Sequence, residues 1–466
     1  MKKIYYTILV VAALAVFSSC NNFLDVKPKG FLIPETVQEY EGILNDPDMV
    51  KVADSFPIYM TDDAYIPDVD ETGYFVGINS IDNATKNLYT FQPVLFGPSE
   101  DDSFWTYSYN RIYSYNVVVE HVMGATEGTE SEKKAIRAEA LMGRSLEYLY
   151  LVNAYAPHYD ATTASSDLGV VLNLDEDITK ENLTRATVAE VYEQILSDLE
   201  EANNSLPIKP KLNAFRGSKS AGLGIMARTY LYMGDYKNAL KYANASLAVN
   251  SSLLDLKKYK EVNPYAAIGR INVPELTKNP ENIYIRRAPY VFGISGQVFG
   301  SKELLNLFSE RDMRLKLYFT TTPYGLEIDT PIWLPYTQAN LAITTPEIYL
   351  TAAECEARIG SKEKAMEYVN KLRDNRIVGN VPLTAKDNDE GLKIVLEERR
   401  RELAFVGPLR LFDLKRLNKE PRFAKDITRT IDGKTYTLKP NSGIYVLPIP
   451  PKVLRFNPEM KDNIRK

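Results

Sequence analysis

Residues 223–249, LGIMARTYLYMGDYKNALKYANASLAV, constrain the fold more than any other stretch of the chain. Small and apolar residues recur at helical spacing at Leu223, Met226, Ala227, Tyr230 and Leu231, and again at Tyr236, Ala239, Leu240, Ala243 and Leu247. Gly234-Asp235 separates the two runs, and glycine tolerates the backbone of a sharp turn. The pattern predicts two helices joined tightly, with small residues at their junction so that the backbones approach closely.

The unit recurs. A shift of about 126 residues sets Ala353, Gly360, Ala365, Tyr368 and Asn370 on Ala227, Gly234, Ala239, Tyr242 and Asn244. The competing explanation is chance between two alanine-rich amphipathic hairpins, but the turn glycine with flanking alanines and tyrosine in register favours a true repeat of tetratricopeptide-like kind. Such a repeat is a scaffold and names no chemistry.

Further helices are expected over 34–44, 105–123, 133–155 and 301–308. Another follows Thr187, where Glu190 three residues on completes a capping-box pattern. Helical repeat segments therefore occupy about 105–155, 187–249 and 346–376. Between them run long stretches without helical period, about 56–100 and 253–341, rich in Gly, Pro, Asn, Asp and aromatics, and 315–341 suggests short strands. Residues 169–172 read as a short extended piece and 436–449 as a terminal one. Excursions this long in a folded body commonly serve binding. The fold class is mainly α: a tetratricopeptide-like helical hairpin scaffold with long loops and short β-strand excursions.

Charge and rare residues narrow the chemistry. A formal net charge of -5 with no basic stripe argues against a nucleic-acid partner. The two cysteines, Cys20 and Cys355, form no metal cluster, and neither His121 nor His158 stands in a ligand motif, so no metal or cofactor is expected. Cys355, on the second copy of the repeat, reads as a buried small hydrophobe. The acidic residues Asp62, Asp63, Asp68, Asp70 and Glu71 lack the ordered spacing of a calcium loop. In LEERRRELAF, residues 396–405, adjacent opposite charges are expected to form ion pairs of the surface kind. Residues 407–418 alternate apolar and polar. No GxGxxG, Walker, GxSxG, HExxH or EF-hand motif occurs, leaving an enzyme without positive support.

The N-terminus is the strongest localisation signal. Lys2 and Lys3 precede an apolar run of about 14 residues, too short for an ordinary membrane span, and Phe17-Ser18-Ser19 leads into Cys20. Small residues before a cysteine resemble a bacterial lipobox. The expectation is a signal peptide over 1–19, a lipidated tether over 20–30 attached through Cys20, and a single body over 31–466.

An ordered series of segments carries a wider resemblance: CNNFLDVKP at 20–28; Trp105 followed by Tyr109, Ile112 and Asn116; LTRATVAEVYEQILSDLEEANNSLP at 183–207; SAGLGIMARTYLYMGDYKNAL at 220–240; SKELLNLFSERDMR at 301–314; PEIYLTAAECEARIG at 346–360; NKLRDNRI at 370–377; LEERRRELAFVGPLRLFDLKR at 396–416; and VLPIPPKVLRFNPEMKDN at 446–463. Together they resemble the SusD/RagB family of outer-membrane nutrient-binding lipoproteins of Bacteroidetes, over nearly the whole chain. Departures occur at Gly169-Val170-Val171-Leu172 and Arg376-Ile377-Val378. The resemblance implies a non-enzymatic surface lipoprotein, lipid-anchored in the outer membrane. It would capture an oligosaccharide and deliver it to a SusC-like TonB-dependent transporter. A peptide cargo, a surface scaffold without ligand, and a hydrolase with paired carboxylates are the alternatives. The 31 tyrosines read as core and helix-packing residues, with sugar or peptide contact the alternative for some of them. Within the irregular regions Trp333, Tyr290, Tyr336, Tyr65 and Tyr74 are the candidate ligand-binding residues, since aromatic faces stack on sugars.

Overall fold

The computed structural model describes residues 34–51, 56–68, 77–177, 179–180, 183–263, 265–266, 270–287, 298–334 and 340–466. Its helices are α1 (Val37–Leu44), α2 (Asn83–Tyr89), α3 (Ser103–His121), α4 (Glu130–Tyr155), α5 (Val188–Asn203), α6 (Lys219–Met233), α7 (Tyr236–Val249), α8 (Lys302–Leu305), α9 (Met313–Tyr318), α10 (Thr345–Ile359), α11 (Lys362–Arg373), α12 (Asn388–Glu402), α13 (Leu409–Leu417) and α14 (Pro451–Phe456). The strands are short: β1 (Ala64–Tyr65), β2 (Asn282–Tyr284), β3 (Phe299–Gly300), β4 (Phe319–Thr320), β5 (Ile332–Trp333), β6 (Ile343–Thr344), β7 (Ile427–Ile431) and β8 (Lys434–Leu438). The protein is mainly α-helical, with helical hairpins and minor β structure.

Local chemistry sets the helix starts. Thr187 Oγ1 accepts from the Glu190 amide at 3.2 Å while Glu190 Oε2 accepts from the Thr187 amide at 2.7 Å, closing the expected capping box. Thr129 with Glu132 and Thr36 with Glu39 build the same box on α4 and α1. Gly234 ends α6 in the left-handed region at φ 75°, where a side chain is disfavoured. Its counterpart Gly360 ends α10 at φ -115°, so the repeat is matched in sequence while its two turns differ in backbone.

Successive helices pack as neighbours: α3 on α4, α4 on α5, α5 on α6, α6 on α7, then α7 on α10, and α10 on α11 and α12. The two copies of the repeat touch directly, and Tyr368 Oη donates to Asn244 Oδ1 at 2.6 Å. Within the first copy Tyr230 and Tyr242 stack at 5.5 Å. Cys355 is buried, and burial pushes its thiol well above the ordinary range, so it behaves as a hydrophobe.

Helix α4 is the spine, with every residue from Ala138 to Tyr155 buried. Its final carbonyls have no partner within the helix and must be met from elsewhere. The Val152 carbonyl accepts from the Ala156 amide at 3.1 Å and the Ala154 carbonyl from the Leu447 amide at 2.9 Å. Tyr155 O accepts from Arg185 Nη2 at 3.1 Å and Asn463 Nδ2 at 2.8 Å. Lys415 Nζ donates to the carbonyls of both Asn153 and Ala156. Segments far apart in sequence thus converge on one helix end.

Three expectations change. The charges of 397–402 do pair, but inside the protein rather than at its surface. Glu398 is fully buried, accepts from Arg401 and Arg373 at 2.8 and 3.0 Å, and is ion-paired with Arg314 at 2.7 Å. Glu402 pairs with Arg314 and Arg376, and Arg376 continues to Glu281 at 2.7 Å. The consecutive charges turn about 100° per residue around α12, so each meets a different neighbour. Residues 409–417, which alternate in sequence, are helix α13, and residues 313–318 are helix α9, capped by Asp312, rather than a strand. The extended piece at 169–172 is present at its start: Gly169 donates to the Ala186 carbonyl at 2.7 Å, and Ala186 donates back to Val170 at 2.9 Å.

Candidate functional site

Strands β1, β3, β5 and β4 form one antiparallel sheet in that order. Tyr65 pairs with Phe299, Phe299 with Ile332, and Trp333 with Phe319. The register brings the end of β1, the start of β3 and the end of β5 to one end of the sheet.

A cleft of about 440 Å³ opens beside β1. Tyr65, Lys302, Glu303, Thr330, Thr428 and Thr430 are among its walls. Ala64 points into the core while Tyr65 is 40% exposed, its ring edge-on to Phe299 at 6.4 Å. On β7 the alternation places Ile427, Arg429 and Ile431 inward and Thr428 and Thr430 outward. Their hydroxyls pair across to Thr437 and Thr435 on β8 at 3.5 and 3.3 Å, giving a row of exposed hydroxyls.

Buried arginines hold the floor in place. Arg429 lies 3.7 Å from the centre of the Tyr89 ring and 4.7 Å from that of Phe91, and donates to the carbonyls of Tyr59 and Thr61 at 2.6 Å. Burial lowers its guanidinium to about 10, which leaves it a cation at neutral pH. Arg410 grips Asp62 with two bonds of 2.8 and 2.7 Å. Burial alone would raise Asp62, but Arg410 and Arg400, with Lys425, outweigh it and hold the carboxyl well below the ordinary range. Its neighbour Asp63 moves the other way: burial raises it, and the Arg400 contact at 2.6 Å does not compensate.

Two adjacent carboxyls shifted apart are what an acid–base pair requires. Here both are withdrawn from solvent, at 7% and 1% exposure, and both contact arginine. The other wall carboxylates are also matched, Glu303 to Arg400 at 2.7 Å and Asp426 to Lys439. The cleft therefore offers an aromatic ring, hydroxyls and carboxylates that are each ion-paired, beside the cations Arg429 and Lys302, which suits binding of a hydroxylated ligand that is not itself a cation.

The candidate residues fall in different places. Tyr65 lies in the cleft wall. Trp333 is 3% exposed, packed on Phe405 at 5.5 Å, and its backbone amide donates to the Val298 carbonyl at 3.0 Å. With no free ring face, its expected role shifts from ligand contact to packing. Tyr74, Tyr290 and Tyr336 lie outside the described residues, as does Cys20. Asp62 and Asp63 serve ion pairs with arginine. The arginine-held floor was hidden from the sequence, because Asp62 and Arg410 are 348 residues apart.

Comparison with known proteins gives consistent matches. The SusD-like family model described as "Starch-binding associating with outer membrane" matches residues 22–231, and the model described as "SusD family" matches residues 336–465. A SusD-like protein of Formosa agariphila is 22% identical, covering 98% of each chain. A SusD superfamily protein from Bacteroides thetaiotaomicron superposes with a TM-score of 0.73 at 19% identity, over 92% of this chain and 100% of that one. A solved structure titled a putative sugar binding protein, from Bacteroides vulgatus, gives 0.70 at 21% identity, over 93% and 99%. A SusD-like carbohydrate binding protein from the same species gives 0.69 at 20% identity, over 91% and 97%.

Proposed function

Because the chain belongs to the SusD/RagB family, we propose that it is a cell-surface glycan-binding lipoprotein which captures an oligosaccharide and passes it to a SusC-like TonB-dependent outer-membrane transporter. The observation that carries this reading is the cleft beside β1, where exposed Tyr65 and the β7 threonine hydroxyls share one concavity whose carboxylates are all ion-paired. Sugars present apolar faces to an aromatic ring and hydroxyls to polar groups, so a neutral glycan matches this lining. The protein binds and does not cleave. Tyr74, Tyr290 and Tyr336 join Tyr65 in the proposal on the ground that aromatic faces stack on sugars.

The same reading includes a signal peptide over 1–19, lipidation at Cys20 on a tether over 20–30, one body over 31–466, and tetratricopeptide-like character for the hairpins of 105–155, 187–249 and 346–376. Among the described residues no helix is long and apolar enough to cross a membrane; the proposed attachment is through the lipid on Cys20. Metabolic labelling with a fatty-acid analogue tests this: the label is expected on the wild type and absent from Cys20→Ala.

One observation favours a peptide cargo as the second reading. Among the described residues β1 is the outermost strand of its sheet, the position at which an extended peptide adds in strand-addition binding. Calorimetry on the soluble form that begins after Cys20 separates the two, using plant, host and microbial oligosaccharides beside mixed peptides. Saturable glycan binding that weakens about tenfold in Tyr65→Ala supports glycan capture at this cleft. Peptide binding without glycan binding transfers the role to peptide. Binding of neither leaves the scaffold reading.

A further inference from the structure

Helix α3 ends in Glu120 and His121, and Glu176 reaches them from the loop before α5. His121 Nε2 stands 2.8 Å from Glu176 Oε1. One ligand atom from each of the three side chains lies within 4.8 Å of the other two. We infer that Glu120, His121 and Glu176 form a binding site for one borderline divalent transition cation of the Zn²⁺ kind, sharing no residue with the cleft beside β1.

Three features carry the inference. The first is pre-organisation. Asn116, on the same helix as His121, donates through Nδ2 to the carbonyls of Asn173 and Asp175 at 2.9 and 2.7 Å, and Tyr148 Oη donates to the Asn173 carbonyl at 2.7 Å. The spacing of Glu176 from His121 is thus set by anchors that use neither side chain. The second is charge. Of the basic residues of this loop, Lys180 pairs with Asp175 and Arg185 donates to backbone carbonyls and to Asn463. The site also sits at a helix C-terminus, the negative end of the dipole. Nearby, the Tyr40 hydroxyl is pushed up chiefly by burial and further by Glu176, Glu39 and Glu35. The third is donor chemistry. One imidazole nitrogen with two carboxylates suits a borderline transition ion, whereas Ca²⁺ favours oxygen ligands alone. Glu120 is exposed and the other two half-buried, so an ion can enter and water can complete its coordination.

Sequence spacing carried no sign of this site, since Glu176 is 55 residues from His121. Bound metal would clip the end of α3 to the loop over 173–177.

The test is calorimetric titration of the soluble chain with ZnCl₂ in a non-chelating buffer, with CaCl₂ in parallel. The expected result is one Zn²⁺ per chain and no matching Ca²⁺ isotherm. Affinity should fall about tenfold or more in Glu176→Gln and in Glu120→Gln, and the site should be lost in His121→Ala. Co²⁺ substitution should give a visible absorption band that His121→Ala abolishes. Circular dichroism melts check that the variants fold, which their exposed positions favour. Unchanged Zn²⁺ stoichiometry and affinity in His121→Ala would overturn the inference, as would Zn²⁺ binding no tighter than Ca²⁺.

Discussion

Tyr65 and Trp333 stand two strands apart in one small sheet, yet one ring faces the cleft and the other the core. Their substitutions should therefore separate cleanly. Trp333→Ala removes a large ring from beside Phe405 and should destabilise the fold by about 3–5 kcal/mol, measured by denaturant unfolding. Tyr65→Ala should leave stability nearly unchanged and reduce glycan affinity. The sequence could not distinguish them, because a strand of two residues is too short to display alternation. A third residue is as exacting. A Cβ on Gly143 would lie 2.3 Å from Tyr115 Cζ, and the Tyr115 hydroxyl accepts from buried Arg286 at 2.9 Å. Gly143→Ala should cost about 1–3 kcal/mol through overpacking, again read by denaturant unfolding.

Among the elements, α12 concentrates the electrostatics. Glu398→Gln would leave Arg314, Arg373 and Arg401 without their shared anion, and a loss of about 3–5 kcal/mol is expected in equilibrium unfolding. The carboxylates of this network also set the acid limit. Burial opposes ionisation of Glu354 and Asp413, but Arg416 with Arg358 and Arg399 overcomes it, holding each at about 2. A carboxyl depressed in the folded state contributes stability at pH values above its unfolded pKa. That contribution is lost as pH falls through the folded value. Thermal melts should therefore show the midpoint dropping steeply from about pH 4.5 toward 2. A flat profile would contradict the network. Capping boxes were legible at this scale because the pattern T-x-x-E is local. The burial of α12 was not, since Arg314, Arg376 and Glu281 lie far away in sequence. Helix α13 escaped a periodicity reading for a related reason. Leu409 and every residue from Leu411 to Leu417 are buried, including paired Asp413 and Arg416, so no polar face marks the helical turn.

At the scale of the whole molecule, the repeated hairpin and the ordered series of segments made the architecture legible, while the cleft depended on residues brought together across the chain. The convergence on the end of α4 bears on how the molecule comes apart. A row of helices that touch only neighbours behaves as a one-dimensional chain of weakly coupled units and frays from its ends. Here Lys415, Leu447 and Asn463 fasten late segments onto an early helix, with Arg185 bridging Tyr155 to Asn463, so the row is closed into a loop. A closed row has no free end from which melting can spread, and it should yield as one cooperative body. Scanning calorimetry should give a single endotherm for the wild type. The double variant Arg185→Met with Asn463→Ala should split or broaden it, as the reopened row melts in stages. A body built this way transmits a pull on any one helix to all the others at once.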